Sequence, residues 1–183
     1  MLVFLDFEAS SLGKRSYPIE VAWVFEDGRC EEHLIRPAPD WQDWDPAAEA
    51  IHHIPRATLL ERGAPHSEVA LRMLDALTGH DLLASAPSWD GKWLSTLLRA
   101  AGLPRHSLRL RDSEAAQREA AHAALAGRIP SALLAATVED LLVHAAMADR
   151  AQPAHRALAD AREERDRWLA VRDAARARAE RAS

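Results

Sequence analysis

With a single cysteine, Cys30, the chain has no second thiol for an internal disulfide, and the expected setting is a reducing compartment. An excess of positive charge is also missing. The 23 Lys and Arg against 28 Asp and Glu leave a net charge of −5, the wrong balance for holding long duplex nucleic acid through many phosphates. Any grip on nucleic acid is expected to be short and local. Bound divalent cations offset acidic charge at a site, so global charge does not exclude a phosphate-bearing substrate. Long hydrophobic runs are absent too. The most apolar stretch, residues 129–148, is broken by Glu139, Asp140 and His144, while the opening MLVFLDFEAS lacks a basic leader and carries Asp6 and Glu8. The expectation is a cytoplasmic protein with no membrane span.

What is present is enough apolar material for one sizeable core, at 48% hydrophobic and 28% charged over 183 residues. One domain over residues 1–172 is expected, followed by a charged C-terminal tail, 173–183, in which arginines alternate with acids. Residues 2–7 and 19–25 read as strands, and Glu26-Asp27-Gly28 turns the chain into a third, 29–36, because Asp-Gly is a strong hairpin signal. Short helices over 46–52 and 55–61 each carry proline near the first turn, and apolar spacing predicts a helix over 67–77. A strand over 81–86 precedes a helix starting at Ser88 or Trp89, with Trp93, Leu94, Leu97 and Leu98 on one stripe. Residues 107–111 read as a fifth, weaker strand. Beyond Ser113 the pattern is helical, with Thr137 and Asp140 as a capping start for 138–148 and a last helix over 156–178. The sum is an α/β domain, a mixed five-stranded sheet flanked by helices, whose meander followed by βα units matches a ribonuclease H-like arrangement.

Asp6 and Glu8 stand two apart on the first strand and so share one face. Two anions side by side in an apolar strand are unfavourable unless something positive lies between them, and a divalent metal is the natural candidate. A solvent-facing edge would tolerate them as ordinary acids, but Val3, Phe4, Leu5 and Phe7 mark a central strand. Asp90 falls in the first turn of a helix, where an acid serves as a cap. It also follows a strand, and sites in open α/β sheets gather at the carboxyl ends of strands. His155 and Asp160, five apart, would diverge by about 140° on a continuous helix. The better arrangement has His155 in the loop after Pro153 and Asp160 inside the helix, an imidazole overhanging a fixed carboxylate.

Asp6-Phe7-Glu8, then Asp90 in Ser-Trp-Asp-Gly-Lys-Trp-Leu, then His155-Arg-Ala-Leu-Ala-Asp160 resemble, in order and spacing, the three motifs of the DEDDh 3′-to-5′ exonucleases, the family of ribonuclease T, oligoribonuclease and polymerase proofreading subunits. Ile51-His52-His53-Ile54 resembles the family's His-Gly-Ile stretch, and residues 64–69 its Ala-Pro and Glu-Val segment. The resemblance implies that Asp6, Glu8, Asp90 and Asp160 hold two Mg²⁺ or Mn²⁺ ions and that His155 is the general base. Activity is then expected to rise with pH, since only a neutral imidazole accepts a proton. It also implies that Ala9, Ser10, Ser11, Leu12 and His52 meet the substrate, a single-stranded DNA or RNA 3′ end or a short oligonucleotide, with Leu12 against the terminal base. Relatives are often dimers, which makes a homodimer an expectation as well. Two departures stand out: Ser11 occupies a glycine position, and Ser85-Ala86 replaces His-Asn. Trp41 and Trp44 fit base stacking and core packing equally well. Lys14, Arg15 and Arg156 are candidate phosphate contacts. The competing reading is a catalytically silent nucleic-acid-binding module with the same fold.

Overall fold

Alternation along the first strand sets the layers. In the computed structural model, which describes residues 1–148 and 155–182, strand β1 (Leu2–Ala9) sends Val3, Leu5 and Phe7 into a core of aliphatic and aromatic side chains on one face of the sheet. Phe4 points the other way, against Leu83 and Trp168. Asp6 and Glu8 follow Phe4 at two-residue spacing and therefore lie on that second face. Strand β2 (Pro18–Phe25) runs antiparallel to β1 with Asp6 opposite Ala22 and Glu8 opposite Glu20. Gly28, at φ 94°, closes the hairpin into β3 (Cys30–Arg36), a conformation glycine adopts without Cβ strain.

Helices α1 (Pro46–His52) and α2 (Arg56–Arg62) lead to Gly63. A Cβ there would collide with the Leu59 carbonyl oxygen and the Arg36 amide, so glycine lets the chain press against β3 and pair with it as β4 (Ala64–Pro65). This two-residue strand makes the sheet six-stranded rather than five. It is too short to show any periodicity in the sequence. Helix α3 (His66–Leu77) follows, then β5 (Asp81–Ala84) parallel to β1, α4 (Pro87–Ala100) and β6 (Leu110–Asp112) parallel to β5. The last strand starts three residues and ends one residue later than the apolar pattern of 107–111 suggests, because Leu108 is drawn into the core while Leu110 pairs with Leu82. The strand order is β4-β3-β2-β1-β5-β6.

Helices α3 and α4 cover the first face through Val69, Met73, Leu77, Trp93, Leu97 and Leu98. The second face belongs to α5 (Ser113–Leu125), α6 (Ser131–Ala148) and α7 (Ala157–Ala182), which build their own cluster from Ala121, Leu125, Val138, Leu142, Val171, Ala175 and Ala179. Helix α6 begins just after Pro130 rather than at Thr137, which lies buried in mid-helix. Helix α7 continues through residues 173–182, where the arginines and acids face outward and Ala175 and Ala179 pack inward. Small side chains allow this close approach, and it was invisible to a reading that sought large apolar residues. Among the described residues α6 is the one helix long and apolar enough to cross a membrane by length and composition. Its Val138 and Leu142 pack with α5 and α7, and Glu139 pairs with Arg118 of α5.

Candidate active site

Three chain segments bring the acids together. β1 carries Asp6 and Glu8 to its carboxyl end, where the pairing with β2 becomes irregular between Glu8 and Ala9. Neighbouring β5 ends at Ala84, and the short link to α4 places Asp90 in the helix's first turn, 2% exposed. Helix α7 crosses the second face with Asp160 in its first turn, and His155 precedes it outside the helix, at a left-handed φ of 48° and exposed to solvent. Glu8, His155 and Asp160 present ligand atoms that all lie within 4.8 Å of one another. The loop placement of His155 matches the sequence reading; Pro153, invoked for that loop, lies outside the described residues.

Charge repulsion ties Asp6 and Asp90 to this trio. Burial holds the Asp6 carboxyl well above the usual carboxylate range, and the charges of Asp90, Glu8, Asp160 and Glu20 raise it further. Burial, then Asp160 and Glu20, push Glu8 up to about 8, with Arg156 pulling the other way. Burial pushes Asp90 up to about 7 against hydrogen bonds from the backbone at Phe7, Ala86 and Asp90 itself. One oxygen of Asp90, Oδ2, is buried without a hydrogen-bond partner. Such an arrangement is unfavourable as it stands and becomes favourable around a cation. The donors are carboxylate oxygens with one imidazole nearby, which suits a hard divalent ion such as Mg²⁺ or Mn²⁺.

A fifth acid went unnoticed in the sequence. Glu20 is fully buried opposite Glu8, yet its surroundings are the reverse of the cluster's. Arg156 donates to it from Nε (3.1 Å) and Nη2 (2.7 Å), and the Ala157 backbone N–H donates at 2.9 Å. Glu20 thus fastens the link bearing His155, and the first turn of α7, to β2. Its mark in the sequence is a lone acid inside the apolar run of β2, a weaker signal than the pair Asp6 and Glu8. Arg156 is accordingly engaged by Glu20, with Glu32 at 3.6 Å, rather than held out for a phosphate.

The residues expected against substrate divide sharply. Leu12 is 71% exposed beside the cluster-bearing strand, whereas Ala9, Ser10, Ser11 and His52 are buried. Ser10 Oγ accepts the Tyr17 N–H, its own N–H donates to the Tyr17 carbonyl, and its carbonyl accepts the Asp45 N–H. Ser11 donates its hydroxyl to Asp43 and accepts the Gly13 N–H at 2.9 Å. Among the described non-glycine residues only His53 and His155 have positive φ, so the loop runs through Ser11 without needing a glycine there. His52 Nδ1 accepts the Ile54 N–H at 3.0 Å, Nε2 is buried and unpartnered, and burial lowers the ring's pKa. Its neighbour His53, at the glycine of the His-Gly-Ile resemblance, takes φ 57°. Trp41 stacks on Tyr17 at 5.1 Å in the core, and half-buried Trp44 packs against that core and donates to Glu49. Lys14 and Arg15 are exposed at the loop tip.

No family model matches the chain, and no curated protein matches it. Solved structures do. E. coli exonuclease I in complex with a dA16 oligonucleotide superposes with a TM-score of 0.67 at 18% identity, over 97% of this chain and 42% of that one. The moderately thermophilic exonuclease I of Methylocaldum szegediense gives 0.65 at 19% identity, over 92% and 40%. The zinc-bound form of the E. coli exonuclease I complex with single-stranded DNA gives 0.63 at 18%, over 90% and 38%. The chain therefore spans about two fifths of the length of these enzymes. At such identity the likeness is one of architecture: the chain has the ribonuclease H-like α/β fold that these exonuclease I structures share.

Proposed function

We propose that the protein is a divalent-metal-dependent 3′-to-5′ exonuclease acting on single-stranded or short oligonucleotide ends. The observation that carries this reading is the meeting of Glu8, Asp160 and His155 within 4.8 Å, bordered by Asp6 and Asp90, whose charges lack a neutralising partner. Asp6, Glu8, Asp90 and Asp160 would hold two ions, Mg²⁺ or Mn²⁺. When bound, such ions supply Lewis-acid charge that activates water and stabilises the departing oxygen. His155, exposed on its link and fastened by the Glu20 contacts to the next two residues, takes the proton of the attacking water. The new P–O bond forms as the bond from phosphorus to the 3′ oxygen breaks. The shortened strand keeps a 3′ hydroxyl and the released nucleotide carries a 5′ phosphate. Leu12, projecting from the loop after β1, packs against the terminal base.

The test is a 5′-labelled oligothymidylate and its RNA counterpart incubated with Mn²⁺ or Mg²⁺. Ladders that shorten from the 3′ end with release of nucleoside 5′-monophosphates are expected, and EDTA abolishes them. If no strand of either kind is shortened with either ion, the exonuclease reading fails and a silent binding module takes its place. Equal rates on the two strands remove any sugar selectivity.

A further inference from the structure

The acidic cluster accounts for the last nucleotide of a substrate and leaves the strand behind it without a place to lie. Residues 91–110, the greater part of α4 and its connection into β6, contain Lys92, Arg99, Arg105 and Arg109 and not one Asp or Glu, in a chain with a net charge of −5. A cavity of about 400 Å³ lies between α4 and that connection, lined by Lys92, Arg105, His106 and Arg109 over Leu94 and Leu108. Arg105 and Arg109 are exposed, and among the described residues neither pairs with a carboxylate. Arg111, two residues on, shows the contrast: Asp81 and Glu119 hold it at 2.7 and 2.9 Å. Lys92 lines a second cavity of about 350 Å³ with Leu12, Lys14 and Trp89, the residue preceding Asp90. The two hollows share Lys92, whose ammonium donates to the Gly13 carbonyl at 2.6 Å and the Ser16 hydroxyl at 2.9 Å, and they lie one after the other from the neighbour of Asp90 to the two arginines.

Resting on the exonuclease reading, we infer that Arg105 and Arg109 bind the phosphodiester backbone of a single strand several nucleotides upstream of its 3′ end. A pair of guanidinium groups beside a shallow hollow suits a flexible strand, whose phosphates meet the cations. The contact lengthens the footprint without touching the reacting atoms.

The double substitution Arg105→Ser with Arg109→Ser tests it, since both side chains are exposed and their loss leaves the core unchanged. Fluorescence anisotropy in Ca²⁺ buffer compares oligothymidylates of about three and about twelve nucleotides. The longer strand is expected to bind about tenfold more weakly to the variant, with its logarithmic salt slope reduced by about 1.4, while the shorter strand changes less than about twofold. Equal weakening of both lengths, no weakening of either, or displacement of the longer strand by polyglutamate as readily as by unlabelled oligothymidylate overturns the inference. Release of mononucleotide from the short strand with Mn²⁺ is read in parallel on both proteins. Its absence from the wild type refutes the exonuclease reading alone, and the length dependence of binding still decides the groove.

Discussion

Acids in two regions of this molecule are handled in opposite ways. At the carboxyl ends of β1 and β5, burial raises Asp6, Glu8 and Asp90, repulsion from neighbouring acids raises Asp6 and Glu8 further, and among the described residues the arginine that pulls the other way is Arg156, which Glu20 engages. Away from that cluster the chain pairs its acids. Arg72 pulls Glu31 below the usual range, Arg111 does the same to Asp81, and buried Glu164 accepts hydrogen bonds from Ser113, Gln117 and Arg167 at 2.6, 2.9 and 2.7 Å. A chain that neutralises buried Glu20 and Glu164 leaves half-buried Asp6 and Glu8 and buried Asp90 without such partners among the described residues. That selective omission is what a binding site for an external cation requires.

The contrast is broken most severely by Asp6→Asn. Mononucleotide release should fall by at least about a hundredfold, as expected for loss of a metal ligand. The melting temperature in EDTA should hold or rise, because a repulsive charge has gone. A clear fall in that temperature would place Asp6 with the structural acids instead. Glu164→Ala is the reverse case. Removing it strands Ser113 and Gln117 in the interior at a cost of about 2–4 kcal/mol, a drop of about 5–15 °C in Tm by differential scanning calorimetry. Turnover well below the new Tm should survive, and its loss would show that Glu164 serves the site.

pH sharpens the same distinction. The metal-free folded chain keeps protons on Glu8 and Asp90 up to about pH 8 and 7, whereas the unfolded chain releases them near the ordinary carboxylate values. The unfolded state thus binds fewer protons through that window, and stability contributed by these groups falls as pH rises. Melting in EDTA should drop by several degrees from about pH 5 to about pH 8. Added Mn²⁺ should erase the drop, since the ion displaces the protons. An EDTA profile that is flat or rising would contradict the raised carboxylates. The smallest effect is expected at Asp81→Asn: a surface pair with Arg111 contributes less than about 1 kcal/mol, so Tm should move by less than about 4 °C.

Much of the layering could be read without coordinates. The strand pattern of residues 2–7, which the structure extends to Ala9, and the Asp-Gly hairpin are carried by neighbours in the chain, and α1 has the expected bounds because Pro46 starts it and Asp45 caps it. β4 escaped notice because two residues have no period, and its pairing depends on the approach of Gly63 to Arg36. The length of α7 escaped because its inward face is alanine, which a search for large apolar residues passes over. Ser10 and Ser11 lie in a stretch resembling a substrate wall, but their hydrogen bonds to Tyr17 and Asp43 come from the way the loop after β1 folds, while His52, at the end of α1, accepts the Ile54 N–H.

By itself the sequence determined that Asp6 and Glu8 share a face, through the two-residue alternation of a strand, that Asp90 stands in a first helical turn, and that Asp160 lies inside a helix. Tertiary structure alone decided that Glu8, His155 and Asp160 meet, that Glu20 and Arg156 join across 136 residues, and that burial raises the carboxyls of the cluster. The reason is physical. Periodicity and capping act between residues a few positions apart, whereas the approach of α7 to β1, and the exclusion of water it brings, depends on side chains packed across the whole sheet.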